Sequence, residues 1–131
     1  MIRIVRLGTP RRAGEGPRLG TVRRPPRGVP RREFASRDFY DVWLPALSPS
    51  AELLAEAQRA ASDDDARAWA RFVKRFRSEM KAPEASHLLD LLAVLSKSAD
   101  LSLGCYCAEE RRCHRGVLRE LLDERGAALA D

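Results

Sequence analysis

The chain has 131 residues, 44% of them apolar, 6% aromatic, with a formal charge of +5 and three cysteines. That length suits one core and leaves little room for a second, so a single domain over residues 1–131 is expected. No apolar run approaches the ~20 residues of a membrane-spanning helix, and Arg3 and Arg6 interrupt the start "MIRIVRLGTPRR", which therefore lacks the apolar stretch of a secretory signal.

"MIRIVRL" is short and β-branched, sets Ile2 and Ile4 against Val5 and Leu7, and ends at Gly8-Thr9-Pro10; it predicts a strand. "RLGTVRR" predicts a second strand. Around it, residues 8–38 form a basic Pro/Gly/Arg-rich loop region, and the prolines of "PPRGVPRREFASRD" keep that stretch out of any central ladder. Residues 1–40 carry eleven arginines against Glu15, Glu33 and Asp38, a local charge of +8, so the remainder sums to −3. A basic arm on a mildly acidic body suits a polyanionic partner. It also suits a plain solvated surface, since arginine outnumbers lysine throughout. "FYDVWL" predicts a third short strand.

Helices follow. "LSPSAELLAEAQRAA" is expected to be capped by Ser48 with Pro49 in its first turn and Leu53, Leu54 and Ala57 facing inward. "SDDDARAWARFVKRFRSEM" is expected to be capped by Ser62; Trp69, Phe72, Val73, Phe76 and Met80 share one face, the pattern of a core stripe. "APEASHLLDLLAVLSKSA" starts at Pro83, and its leucines (Leu88, Leu89, Leu91, Leu92, Leu95) nearly encircle it, which predicts burial on most sides; His87 is expected at the surface. "DLSLGCYC" between two helices reads as an inner strand. "CHRGVLRELLDERGAALA" closes the chain as a helix with Val117, Leu118, Leu121 and Leu122 inward and Gly126 at its end. The fold class expected is α/β: a small single-domain layered fold with a short central sheet and about four helices.

All three cysteines and one of the two histidines fall in "LGCYCAEERRCHRGVL". On a strand, Cys105 and Cys107 point the same way. A loop then delivers Cys113, His114 and Arg115 to the first turn of the last helix, beyond the carboxyl end of the strand, where open α/β sheets bind ligands. Helix amides there favour an anion and raise a thiol's ionised fraction. Four readings follow. In the first, Cys107 or Cys113 is a reactive thiol, His114 a general acid or base, and Glu109 its polarising partner. In the second, Cys105, Cys107, Cys113 and His114 hold zinc, although the spacing C-x-C-x5-C-H is unlike paired C-x2-C knuckles and adjacent Cys113 and His114 are awkward on one ion. In the third, Cys105 to Arg111 forms a C-x5-R phosphate loop, against which Glu109, Glu110 and the lack of glycine argue. In the last, the cysteines only pack.

The segments "RLGTVRRPPRGVPRREF", "DVWLPALSPSAELL", "WARFVKRFRSEM" and "LGCYCAEERRCHRGVL", in that order and spacing, resemble the domain-of-unknown-function family 488, which includes the YeaO-like proteins. Pro25 stands where the YeaO-like branch carries tryptophan, and the cysteine segment is more like the other branch. The resemblance implies a compact α/β domain without an established activity. It points to Pro26, Arg27 and Gly28, and to Cys107, Glu109, Cys113, His114 and Arg115, as motif residues. It also suggests that the Pro-Arg-Gly loop folds over the strand end, so that Arg27, Gly28 and Arg115 contact an anion.

The function expected is therefore a cytoplasmic protein that binds a phosphorylated small molecule or nucleotide at the Cys-His-Arg helix start, with no membrane association. The alternatives are a nucleic-acid-binding or regulatory module that uses the arginine loop, and a zinc-stabilised interaction domain. The sequence names no cofactor.

Overall fold

A computed structural model describes residues 1–130. Four parallel strands form one sheet in the order β1-β4-β2-β3: β1 (Ile2–Arg6), β2 (Arg18–Gly20), β3 (Val42–Trp43) and β4 (Leu101–Cys105). The helices are α1 (Ala51–Ser62), α2 (Ala66–Glu79), α3 (Pro83–Leu95) and α4 (His114–Glu124). This is the small α/β layered fold expected, and β4, with all five residues buried, is its inner strand. No helix is long and apolar enough to cross a membrane.

The buried residues form two clusters that are covered differently. Ile2, Leu19, Leu101 and Leu103 join the buried residues of all four helices in one core. The second, smaller cluster contains Leu7, Val22, Tyr40, Cys105 and Cys113, with Val5, Phe34, Phe39 and Tyr106 packed against it. Here the covering element is the arginine-rich loop rather than a helix. Gly20 makes room for it: a Cβ there would sit 2.4 Å from the Tyr40 ring.

Three local expectations are corrected. The cap of α1 is Ser50, whose hydroxyl accepts from the Leu53 amide, not Ser48, which bonds Pro45 of a preceding 3-10 turn. The cap of α2 is Asp65, accepting from Arg67 and Ala68; Ser62 is instead the last residue of α1. And α3 is buried on one side only. Leu89 and Leu92 are inside, while Leu91, Val94 and Leu95 are exposed, because α3 lies at the outside of the helical layer and no described residue covers its far side.

Candidate functional site

The site lies beyond the carboxyl ends of the adjacent strands β2 and β4. β4 stops at Cys105, and the chain passes through Tyr106 and Cys107 into a 3-10 turn (Glu110–Arg112) before α4 begins at His114. Gly116 fixes that return. A Cβ on it would lie 2.7 Å from the Glu110 carbonyl oxygen, so the turn can lie directly against the first turn of α4. Glu110 is also tied down by Arg119, at 2.6 and 2.9 Å.

This path brings the sulfurs together. Cys105 Sγ and Cys107 Sγ are 3.7 Å apart, and Cys113 Sγ is 3.8 Å from His114 Nδ1. Cys105 Sγ, Cys113 Sγ and a His114 ring nitrogen all lie within 4.8 Å of one another. Cys105, Cys113 and His114 are buried, whereas Cys107 is exposed. No disulfide links them.

The histidine's tautomer follows from its partners. Nε2 faces the Thr21 carbonyl at 2.5 Å and so carries the proton it donates there. Burial lowers the His114 pKa, against the pull of the Thr21 carbonyl, so the ring is neutral. Its Nδ1 therefore turns a free lone pair toward Cys113. The Phe76 ring meets the imidazole edge-on and holds its plane.

The thiols share one negative charge unequally. Hydrogen bonds from the Cys107 and Cys113 thiols, together with the Cys107 backbone N–H and the nearby Arg115 guanidinium, bring the Cys105 thiol down to about 3 despite its burial. The Cys105 charge in turn pushes both Cys107 and Cys113 up. The cluster thus favours ionisation at Cys105, a residue that from sequence reads as a metal ligand, as the first residue of the C-x5-R loop or as a packed thiol.

A cleft of about 510 Å³ opens beside this cluster. One wall carries Cys105, Cys107 and His114; the facing segment supplies Arg23, Arg24, Pro26 and Arg27. Tyr106 joins the two, its hydroxyl donating to the Arg24 carbonyl at 2.8 Å. Arg23 is anchored through Nε to the Pro49 carbonyl, while Arg24 and Arg27 are exposed and their side chains have no ion-pair partner among the described residues.

Other motif residues sit elsewhere. Arg115 is buried and donates to the Cys107 carbonyl at 2.6 Å, bracing the sulfur-bearing turn from behind; its Nε has no partner. Gly28 is exposed with φ +74°, a turn residue just past Arg27. Glu109 is exposed, pairs with Arg111 at 3.2 Å and lines a separate cleft on the other side of Cys107. The two His114 nitrogens face Thr21 and Cys113 instead. Sequence reasoning missed Thr21, which sets the tautomer from 93 positions away, and Arg23, Arg24 and Tyr106 of the cleft. Only the strand end at Gly20 hinted that the next residues would reach the site.

A family model described as the active DUF488-N3 subclade matches residues 2–126. No curated protein and no solved structure matches the chain. The family match spans nearly the whole sequence, and the protein belongs to this family.

Proposed function

We propose that this member of the DUF488-N3 subclade binds a phosphorylated small molecule or nucleotide in the cleft between the Arg23–Arg27 segment and the start of α4. The observation that carries the reading is the shared cleft: Arg24 and Arg27, whose side chains have no ion-pair partner among the described residues, line the same opening as Cys105, Cys107 and His114. The guanidiniums would hold the anionic group by charge-assisted hydrogen bonds. The Cys105 thiolate is the nucleophile on offer, and His114 Nδ1 is placed to take up or return a proton at the cluster.

Calorimetric titration of the protein with thymidine 5′-monophosphate and with inorganic phosphate tests this. Binding of the nucleotide is expected, weakened at least about tenfold by Arg27→Glu, which reverses an exposed charge and leaves the fold intact. Wild-type protein that binds neither compound, or an Arg27→Glu variant that binds as well as wild type, would contradict the reading.

A second reading has its own observation. Cys105, Cys113 and His114 Nδ1 converge closely enough to hold one zinc ion, with Cys107 beside them. Metal analysis of untagged protein separates the two. Stoichiometric zinc lost in Cys113→Ser supports a metal centre; folded protein with substoichiometric zinc rejects it.

A further inference from the structure

A second cleft of about 520 Å³ adjoins the first: Pro25 lines both. Its other walls are Arg31, Arg32, Phe34, Ala35, Tyr40, Asp41 and Trp43. Three features of this cleft point to a ligand.

Trp43 is 41% exposed, large and apolar, yet fixed: its Nε1 donates to the Val22 carbonyl at 2.7 Å. A held, half-open indole is a stacking surface. Tyr40 is 5% exposed, edge-on to Phe34 with ring centroids 5.2 Å apart, and its hydroxyl is buried without a hydrogen-bond partner. A buried, unsatisfied hydroxyl in a cleft wall calls for a polar ligand atom. Charge is the third feature. Arg31 is exposed and unpaired among the described residues, and Arg32 has only a loose contact with Glu33 at 3.9 Å. The one acid in the wall, Asp41, is already neutralised. It pairs with Arg11 at 2.8 Å and accepts the Arg18 amide at 2.7 Å.

Cations beside a rigid aromatic face, in a cleft that adjoins a second arginine-lined cleft, match an alternation of phosphate and base rather than a single small anion. We infer that the ligand of the thiol cleft is one nucleotide of a single-stranded nucleic acid, whose neighbouring nucleotide stacks on Trp43 with its phosphate between Arg31 and Arg32. This rests on the reading of the first cleft as a nucleotide site and assigns that site's substrate class. Pro25 is exposed and lies between β2 and the 3-10 turn Arg31–Glu33, in a stretch with no helix or strand, so an extended chain can cross it.

The test is fluorescence anisotropy with a labelled oligothymidylate of about 12 nucleotides. Thymidine 5′-monophosphate competes, and a duplex of the same length serves as control. Full-length protein should bind the oligonucleotide at least about tenfold more tightly than the mononucleotide, and more tightly than duplex. Affinity should fall between about 50 and about 200 mM salt, with a slope near 0.7 per phosphate engaged. Arg31→Glu/Arg32→Glu, both exposed, should lose that advantage and flatten the slope while leaving mononucleotide affinity unchanged. Trp43→Ala should weaken the oligonucleotide alone, and Trp43→Tyr, which keeps an aromatic face, should restore most of it. Equal affinity for oligonucleotide and mononucleotide, or an unaffected Arg31→Glu/Arg32→Glu variant, overturns this inference and leaves the first-cleft reading standing. Failure to bind either ligand overturns both.

Discussion

Arg18 heads the fully buried side chains by size, although it stands in a run of arginines that looks solvated throughout. It donates to both Glu15 oxygens, at 2.8 and 3.1 Å, and to the carbonyls of Thr9 and Asp38, and so closes the basic loop onto the sheet. Burial raises the Glu15 pKa, but hydrogen bonds from Arg18 and the Arg12 amide outweigh it and hold the carboxyl at about 2. A carboxyl depressed on folding contributes its full stability above its ordinary pKa of 4.5 and loses it as pH falls from there toward about 2. Glu15→Gln should therefore cost about 3–5 kcal/mol in urea unfolding at neutral pH, because it strands a buried guanidinium. It should also flatten the acid dependence between those limits. An unchanged urea midpoint would contradict the pairing. Composition could not single out Arg18: Glu15 stands three positions from both Arg12 and Arg18, and nothing local says which of them it holds inside. The sulfur cluster was easier to read, because its residues crowd into ten positions. What the sequence could not give was the sharing of protons among them, which depends on distances set by the fold.

At the level of elements, the strands and helices were legible from periodicity, and the misses were at their ends and outer faces. Ser48, Ser50 and Ser62 are all acceptable caps by type; only the chain path decides that Ser50 and Asp65 accept the free amides. Asp65→Ala should lower stability by about 1 kcal/mol in thermal or urea melts, and Ser62→Ala should not. The leucines of α3 read as buried all round because hydropathy does not say which neighbours exist. Leu89→Ala should cost about 2–5 kcal/mol, whereas Leu91→Ala, at 53% exposure, should stay within about 0.5 kcal/mol. Comparable losses at the two positions would mean that something covers the outer face. At α4, Gly116→Ala should push the Glu110 turn away from the helix and spread the cysteines it delivers. The expected signature is a thiol pKa returning toward ~8.5 with the helix content by circular dichroism unchanged.

For the whole molecule, the sheet order explains why remote segments meet. β4, last in sequence, inserts between β1 and β2, so Thr21, Arg23 and Arg24 come to the Cys105 end of the sheet across more than 80 residues of chain. Inner position and fold class could be read from "LSLGC" and the alternating elements. The strand order could not, since no local pattern states which neighbours a short strand will choose. The +8 of the first 40 residues is also only partly a surface property: Arg11 and Arg18 are consumed by internal pairs, and Arg24, Arg27, Arg31 and Arg32 remain around the clefts. The account turns on a stabilised thiolate in the cleft that Arg24 and Arg27 line. It is tested most directly by the rate of iodoacetamide alkylation of the native protein against pH, with the modified cysteine located by peptide mapping. Reaction at Cys105 that persists well below pH ~8.5 is predicted. Three thiols inert in the folded protein, or reactive only with the profile of an ordinary cysteine, would contradict it.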